Sequence, residues 1–200
     1  MNKNEYNSHI FVKDNVLSIK FCNSIIERFE NDPRKELTTT KIHKFLTKSK
    51  TGKTFGIIVD LNDEKWIDLL KSFADSVNDN IQEYCKKINF KKPPLSNIIL
   101  PYINVQKILD GGFYEPHIDV DSQDHKGVRI ITCIWYLNDV EKGGETHFLK
   151  TGLKIKPKTG RLLLFPSDRP FVHEGLPPIG TKYIVSGWLE TEKLINSFYF

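Results

Sequence analysis

Cysteine is scarce in this chain. Cys22, Cys85 and Cys133 are the only three in 200 residues, and they stand far apart with no CxxC pair. That excludes a disulfide framework and a zinc ribbon, and it fits reduced thiols in a cytoplasmic protein. Long apolar runs are missing too. None approaches the roughly 20 residues that cross a bilayer, so no membrane span is expected. The opening "MNKNEYNSHI" is polar and lacks the apolar stretch of a secretory signal. There is no internal repeat and no low-complexity linker. "FGIIVD" and "LDGGFYEP" contain glycine but not the spacing of a phosphate-binding loop. Charge is nearly balanced at +4, and the first hundred residues hold the whole excess. Its densest part, residues 34–53, sets seven Lys/Arg against the single acid Glu36. Such a run could meet an acidic partner or nucleic acid; a solvated surface loop is the simpler reading.

What is present is enough for one domain, 1–200, with a core: 39% of residues are hydrophobic. Residues 16–31 read as an amphipathic helix, with Ile19, Cys22, Ile25, Ile26 and Phe29 at three- and four-residue steps and "NDPR" ending it. Residues 63–88 read as a second helix, with a stripe of Trp66, Leu69, Leu70, Phe73, Val77, Ile81 and Tyr84 and with Asp63 and Glu64 at its N-terminus. From about residue 97 the texture changes to short β-rich runs punctuated by Gly, Pro, Asn and Asp. The expected fold is α+β: a helical N-terminal part with supporting strands (1–96), packed on one sheet of a jelly roll, or double-stranded β-helix, whose core is 97–190.

Within "FYEPHIDV", His117 and Asp119 are two apart and share a face of an extended chain. Alone, such a pair is usually a polar strand end. His173, in a second strand-like run, makes it two imidazoles and one carboxylate, the donor set of the facial triad of non-haem Fe(II) oxygenases. Lys182 follows His173 by nine residues. A hairpin centred between Pro177 and Pro178 would set them opposite each other, with Cβ atoms about 5 Å apart. Lys182, Ile184, Ser186 and Trp188 share one strand face, giving a cation, an apolar wall, a hydroxyl and a ring. Thr132, Ile134 and Tyr136 line one face of "VRIITCIWYL", with Cys133 and Trp135 on the other. The Tyr136 hydroxyl could meet a ligand or the backbone. Glu145 and His147 form a rival pair with no third ligand at a supporting spacing and read as a surface strand; His9, His43 and His125 have no such context.

The run His117-x-Asp119, His173, Lys182, with "YLNDVEKGGETHF" between, resembles the prolyl 4-hydroxylase family of Fe(II)/2-oxoglutarate dioxygenases. "RLLLFPSDRPFVHEGLPP" is similar to the hypoxia-inducible-factor prolyl hydroxylases, which share the spacing of nine; collagen-type members usually have ten. The resemblance covers residues 97–190. It implies that His117, Asp119 and His173 bind Fe(II), and that Lys182 pairs with the 5-carboxylate of 2-oxoglutarate. Tyr136, Thr132 and Ser186 would line the cosubstrate pocket and Trp188 would pack behind it. Tyr114 and Arg129 would face the substrate. O2 is the second cosubstrate, and ascorbate is the accessory reductant such enzymes bring with them. One departure stands out: Ile108 occupies a position where many members carry tyrosine, so a polar contact is expected to be missing.

Three functions stay open. The first is hydroxylation of a prolyl residue in a protein or peptide, with release of succinate and CO2. The second is the same chemistry on a free amino acid, another small molecule or a nucleic-acid base. No arginine pair of the base-repair type follows Lys182, which argues against nucleic acid. The third is a non-catalytic metal-binding jelly-roll module. Collagen is not the expected substrate, since no secretory signal, retention tail or peptide-binding domain is apparent. The loops 34–55 and 120–128 are expected to set specificity. Oligomeric state has no signature here.

Overall fold

The computed structural model describes residues 1–37, 53–89, 98–120 and 127–192. The chain opens with α1 (Lys3–Ser8), β1 (Phe11–Lys13), α2 (Ile19–Asn31), β2 (Glu36–Leu37), β3 (Thr54–Asp60) and α3 (Ile67–Lys87). Strands follow: β4 (Ile98–Ile99), β5 (Tyr102–Ile108), β6 (Tyr114–His117), β7 (Gly127–Tyr136), β8 (Lys142–Gly143) and β9 (Thr146–Phe148). The last are β10 (Leu153–Ile155), β11 (Leu162–Pro166), β12 (His173–Gly175), β13 (Pro178–Ile179) and β14 (Lys182–Glu192).

Helix α2 starts where Ser18 accepts a hydrogen bond from the Phe21 N–H, leaving Ile19 in the first turn. Ile19 is therefore not part of the buried stripe: it is 67% exposed, whereas Cys22, Ile25 and Phe29 are buried. All seven stripe residues are buried, six of them in α3 and Trp66 as its N-cap. Helix α3 begins later than Asp63 and Glu64, because Asp63 is held by Arg34 and the Trp66 indole donates to the buried Asp32 carboxylate at 2.7 Å. Helix α1 has no long stripe to reveal it; it is set by a capping box between Asn2 and Glu5.

The strands form an antiparallel α+β jelly roll with open sheets. The larger sheet runs β1-β11-β7-β14-β5-β3-β2, with β4 also on β14; the smaller runs β10-β9-β12-β6; β8 and β13 form a separate two-stranded clasp. Strand alternation gives the larger sheet two faces. Its outer face presents Cys133, Trp135, Val105, Val185 and Leu164 to α2 and α3. Its inner face presents Ile134, Tyr136, Ile184, Ile108 and Phe165 to Phe148 and Ile155 of the smaller sheet. The expected helices-on-one-sheet arrangement is present, with β1, β2 and β3 from the first half extending that sheet at its edges. No helix among the described residues is long and apolar enough to cross a membrane.

Candidate active site

The smaller sheet aligns the two histidines: β12 and β6 pair with His173 directly opposite His117. The rings lie 4.4 Å apart between centroids. Asp119 lies just beyond β6, where its backbone N–H donates to the Ser167 carbonyl. That turn places one carboxylate oxygen 3.5 Å from His117 Nε2 and the other 3.5 Å from His173 Nε2. Each imidazole meets a carbonyl through its Nδ1, His117 with Glu115 at 2.7 Å and His173 with Phe171 at 3.1 Å. Donation from Nδ1 leaves Nε2 as the lone-pair atom in both rings, the tautomer a metal needs. The three donor atoms lie within 4.8 Å of one another, and this is the one such group among the described residues.

Burial disfavours charge here, and the neighbours decide the outcome. Burial raises the Asp119 carboxyl, but His173, His117 and the Thr132 hydroxyl together hold it well below the usual carboxylate range. His173 is pushed down to about 4 by burial, against the pull of Asp119. His117 is held upward instead: the hydrogen bond and charge of Asp119 outweigh its burial. A carboxylate with two Nε2 atoms, one of them on an imidazole kept neutral, suits a divalent first-row metal such as iron.

Lys182 is not opposite His173. The two lie in different sheets: Lys182 pairs with Ile108 of β5, and His173 with His117. The sequence symmetry about Pro177 and Pro178 suggested a hairpin, but Pro178 and Ile179 pair with Gly143 and Lys142 instead, and the chain crosses between sheets. Lys182 still points into the space between the sheets. It is 4% exposed, donates to the Gly144 carbonyl at 2.7 Å and lies over the Tyr136 ring. Burial pushes it down to about 8.

Thr132 donates to Asp119 Oδ2 at 2.8 Å, so its hydroxyl orients that carboxylate. Tyr136 bonds the Thr146 hydroxyl at 2.7 Å, a partner the sequence reading missed. The signal was available: with Glu145 and His147 facing outward, Thr146 must face inward. The rival pair gathers no third donor among the described residues, and His147 is bonded to Glu174 at 2.7 Å. Tyr114 donates to Gln106, an inner-face residue two before Ile108, and it rests against Gly175, where a side chain would crowd its ring. Arg129 is buried among Asp119, to whose carbonyl it donates, the Tyr102 hydroxyl, Glu190 and the Trp188 ring. Ser186 and Trp188 lie on the inner face, opposite Ile134 and Thr132. His43 and His125, most of the basic stretch 34–53 and residues 121–126 of the second specificity loop lie outside the described residues.

With this geometry in place, the similarity to known proteins is specific. Residues 103–190 match the 2OG-Fe(II) oxygenase superfamily. That stretch, just under half of the chain, is similar to 2OG-Fe(II) oxygenase domains. Among curated relatives, it is 36% identical over 95 residues to prolyl 4-hydroxylase subunit alpha-1 of Gallus gallus, covering 40% of this chain and 18% of that protein. It is 37% identical over 110 residues to probable prolyl 4-hydroxylase 3 of Arabidopsis thaliana, covering 40% and 38%. The chain thus spans well under half of those relatives. The fold is shared more widely. The viral collagen prolyl hydroxylase of Paramecium Bursaria Chlorella virus-1 aligns at a TM-score of 0.64 and 22% identity, over 92% of this chain and 97% of that one. A Trichoplax adhaerens prolyl hydroxylase, solved with a hypoxia-inducible-factor peptide fragment, aligns at 0.69 and 21%, over 98% and 91%.

Proposed function

We propose that the chain is an Fe(II)- and 2-oxoglutarate-dependent dioxygenase that hydroxylates a prolyl residue in a protein or peptide, releasing succinate and CO2. One observation carries the reading: the His117–Asp119–His173 cluster of the smaller sheet, with Asp119 and His173 buried, accompanies a buried lysine of the larger sheet that has no carboxylate bonded to it in the described structure. His117, Asp119 and His173 would hold the iron, and Lys182 with the Tyr136–Thr146 hydroxyl pair would hold the distal carboxylate of 2-oxoglutarate. When bound, the metal, 2-oxoglutarate and O2 supply the oxidising power for a C–H bond. The protein's own residues orient and exclude water. Thr132 fixes the carboxylate, Glu115 and Phe171 fix the imidazoles, and Ile134, Ile184 and Phe165 keep the space dry. The named activities of the curated relatives support a prolyl substrate. Buried cysteines outside any disulfide support a reducing, cytoplasmic setting, and ascorbate rests on the resemblance alone.

Anaerobic addition of Fe(II) and 2-oxoglutarate should give the visible charge-transfer band of a chelated complex, and His173→Ala should abolish it. A wild-type protein with no band would sink the dioxygenase reading. Turnover of free proline but of no prolyl peptide would move the substrate to the small-molecule class.

A further inference from the structure

Helix α1 lies outside the matched stretch 103–190, yet it touches the turn that holds the second histidine. Its one buried side chain is Tyr6, which is fully shielded from solvent. The Tyr6 ring stacks on Phe171, with 4.6 Å between centroids and 22° between planes, and meets Phe148 edge-on at 6.4 Å. Both neighbours bear on His173. Phe148 pairs with it across β9 and β12, and the Phe171 carbonyl lies 3.1 Å from its Nδ1. Phe171 closes the turn after β11, where its N–H donates to the Asp168 carbonyl at 2.9 Å. In a close-packed interior, a ring clamped on its face fixes the backbone that carries it. Helix α1 is itself moored on two sides. The Tyr84 hydroxyl and the Lys87 ammonium of α3 donate to the His9 and Ile10 carbonyls at 3.1 and 2.8 Å. The Thr151 hydroxyl donates to Asn7 Oδ1 at 2.9 Å.

Resting on the proposed metal site, we infer that Tyr6 is a positioning residue for His173, acting through Phe171. The line of contacts is short. Helix α3 holds α1, α1 carries Tyr6, Tyr6 clamps the Phe171 ring, and the Phe171 carbonyl accepts from the imidazole Nδ1–H. The last link decides the tautomer. With the proton on Nδ1, Nε2 keeps its lone pair for a divalent metal. A Phe171 carbonyl that turns away removes that preference. The proton can then sit on Nε2, which faces Asp119 Oδ2 at 3.5 Å and finds an acceptor there. The competing state therefore has a definite structure, in which a His173–Asp119 bond closes the cluster on itself. The two imidazoles differ in this respect. His117 takes its carbonyl from Glu115 of its own strand, β6, so its tautomer does not depend on α1. Ordinary core packing would make Tyr6 matter for stability alone; positioning makes it matter for one ring nitrogen.

The test uses the full chain with nitrogen-labelled histidine and no metal added. Long-range proton–nitrogen spectra at about pH 9, well above the ordinary imidazole range, report the tautomer of each neutral ring. Wild type should show His117 and His173 both protonated on Nδ1. Tyr6→Leu keeps the place apolar and removes the stacked ring. It should shift His173 toward the Nε2–H form and leave His117 unchanged. Its Mn(II) affinity, read by calorimetry, should fall about tenfold, the lower end of the loss for groups that orient a metal ligand. Tyr6→Phe keeps the stack and should stay within about twofold of wild type. Phe171→Leu should reproduce Tyr6→Leu, and the double variant should lose no more than either single one, as expected of two residues acting through one contact. Phe29→Leu, a buried change under α2, is the control for destabilisation alone and should leave tautomers and Mn(II) affinity untouched. A folded Tyr6→Leu with the wild-type His173 tautomer and full Mn(II) affinity would overturn the inference, and Phe171→Leu decides in the same way where Tyr6→Leu does not fold. An equal effect on His117, or in Phe29→Leu, would overturn it too, since the loss would then be one of general loosening. A wild type that binds no Mn(II) would remove the metal reading instead; the tautomers, read without metal, would still decide the role of Tyr6.

Discussion

The two faces of β7 and β14 are built from alternating residues of the same strands, yet they do different work. On the outer face, Cys133, Trp135 and Val185 pack against α2 and α3, and the Trp135 N–H is met by Ser76 at 3.0 Å. On the inner face, one residue away in sequence, Thr132, Tyr136, Lys182, Ser186 and Trp188 gather hydroxyls, a cation and an indole between apolar walls. Moving one residue along either strand changes a stability position into a chemical one. The outer face holds the sheet rigid, so the inner face can hold groups that are costly to bury.

That contrast can be broken by mutation. Trp135→Ala should cost about 3–5 kcal/mol of folding stability, as large core truncations do, and should leave metal affinity of the remaining folded protein unchanged. Urea titration with and without Mn(II) reads both; a folded variant that has lost metal binding would refute the division. Lys182→Met should do the reverse. It should cost about 2–5 kcal/mol of 2-oxoglutarate affinity, the usual loss when one partner of a buried charged pair is truncated. Its unfolding midpoint should move less than that of Trp135→Ala, and calorimetry with the Mn(II) form checks it. Thr132→Val keeps the shape but removes the hydroxyl from Asp119. Metal affinity should fall about 10- to 100-fold, as for other groups that orient a ligand. No loss would mean that the Thr132–Asp119 bond is incidental.

The smallest effect is one of pH. With burial holding Lys182 at about 8, the free protein has it charged below that pH and neutral above. A dianionic cosubstrate binds the charged form. Its affinity should be flat below neutrality and fall about tenfold per pH unit above 8, where binding must take up a proton. Folding stability moves in the opposite direction. Between about 8 and the ordinary lysine value of 10.5, the unfolded chain binds the extra proton, so stability gained from this group rises with pH. A 2-oxoglutarate affinity independent of pH from 7 to 9 would place the titration elsewhere.

Much of this was legible in the sequence, for reasons that differ by residue. The grouping of His117, Asp119 and His173, whose donor atoms lie within 4.8 Å of one another, could be anticipated because metal chemistry restricts donor types, and the faces of β7 and β14 were recognisable because strand alternation is rigid. The α3 stripe followed from helical period. Pairing partners were not legible. The spacing between His173 and Lys182 fitted a hairpin, but the two-residue β8–β13 ladder that carries Pro178 away has no hydrophobic pattern to announce it. Gln106 was passed over because a polar residue within an apolar strand signals nothing until the opposite strand is known.

Gly143 and Gly144 both hold φ near +73°, and a side chain on Gly143 would lie 2.2 Å from the Pro177 carbonyl oxygen. This clasp is what brings the Gly144 carbonyl to Lys182. For anyone transplanting the pocket into another jelly roll, the portable unit is therefore larger than its reactive side chains. His117, Asp119, His173 and the lysine could be grafted at matching positions, and the lysine would still lack a seat. The graft must carry the two glycines and the Pro177–Pro178 turn as one piece, because they shape the space through backbone alone.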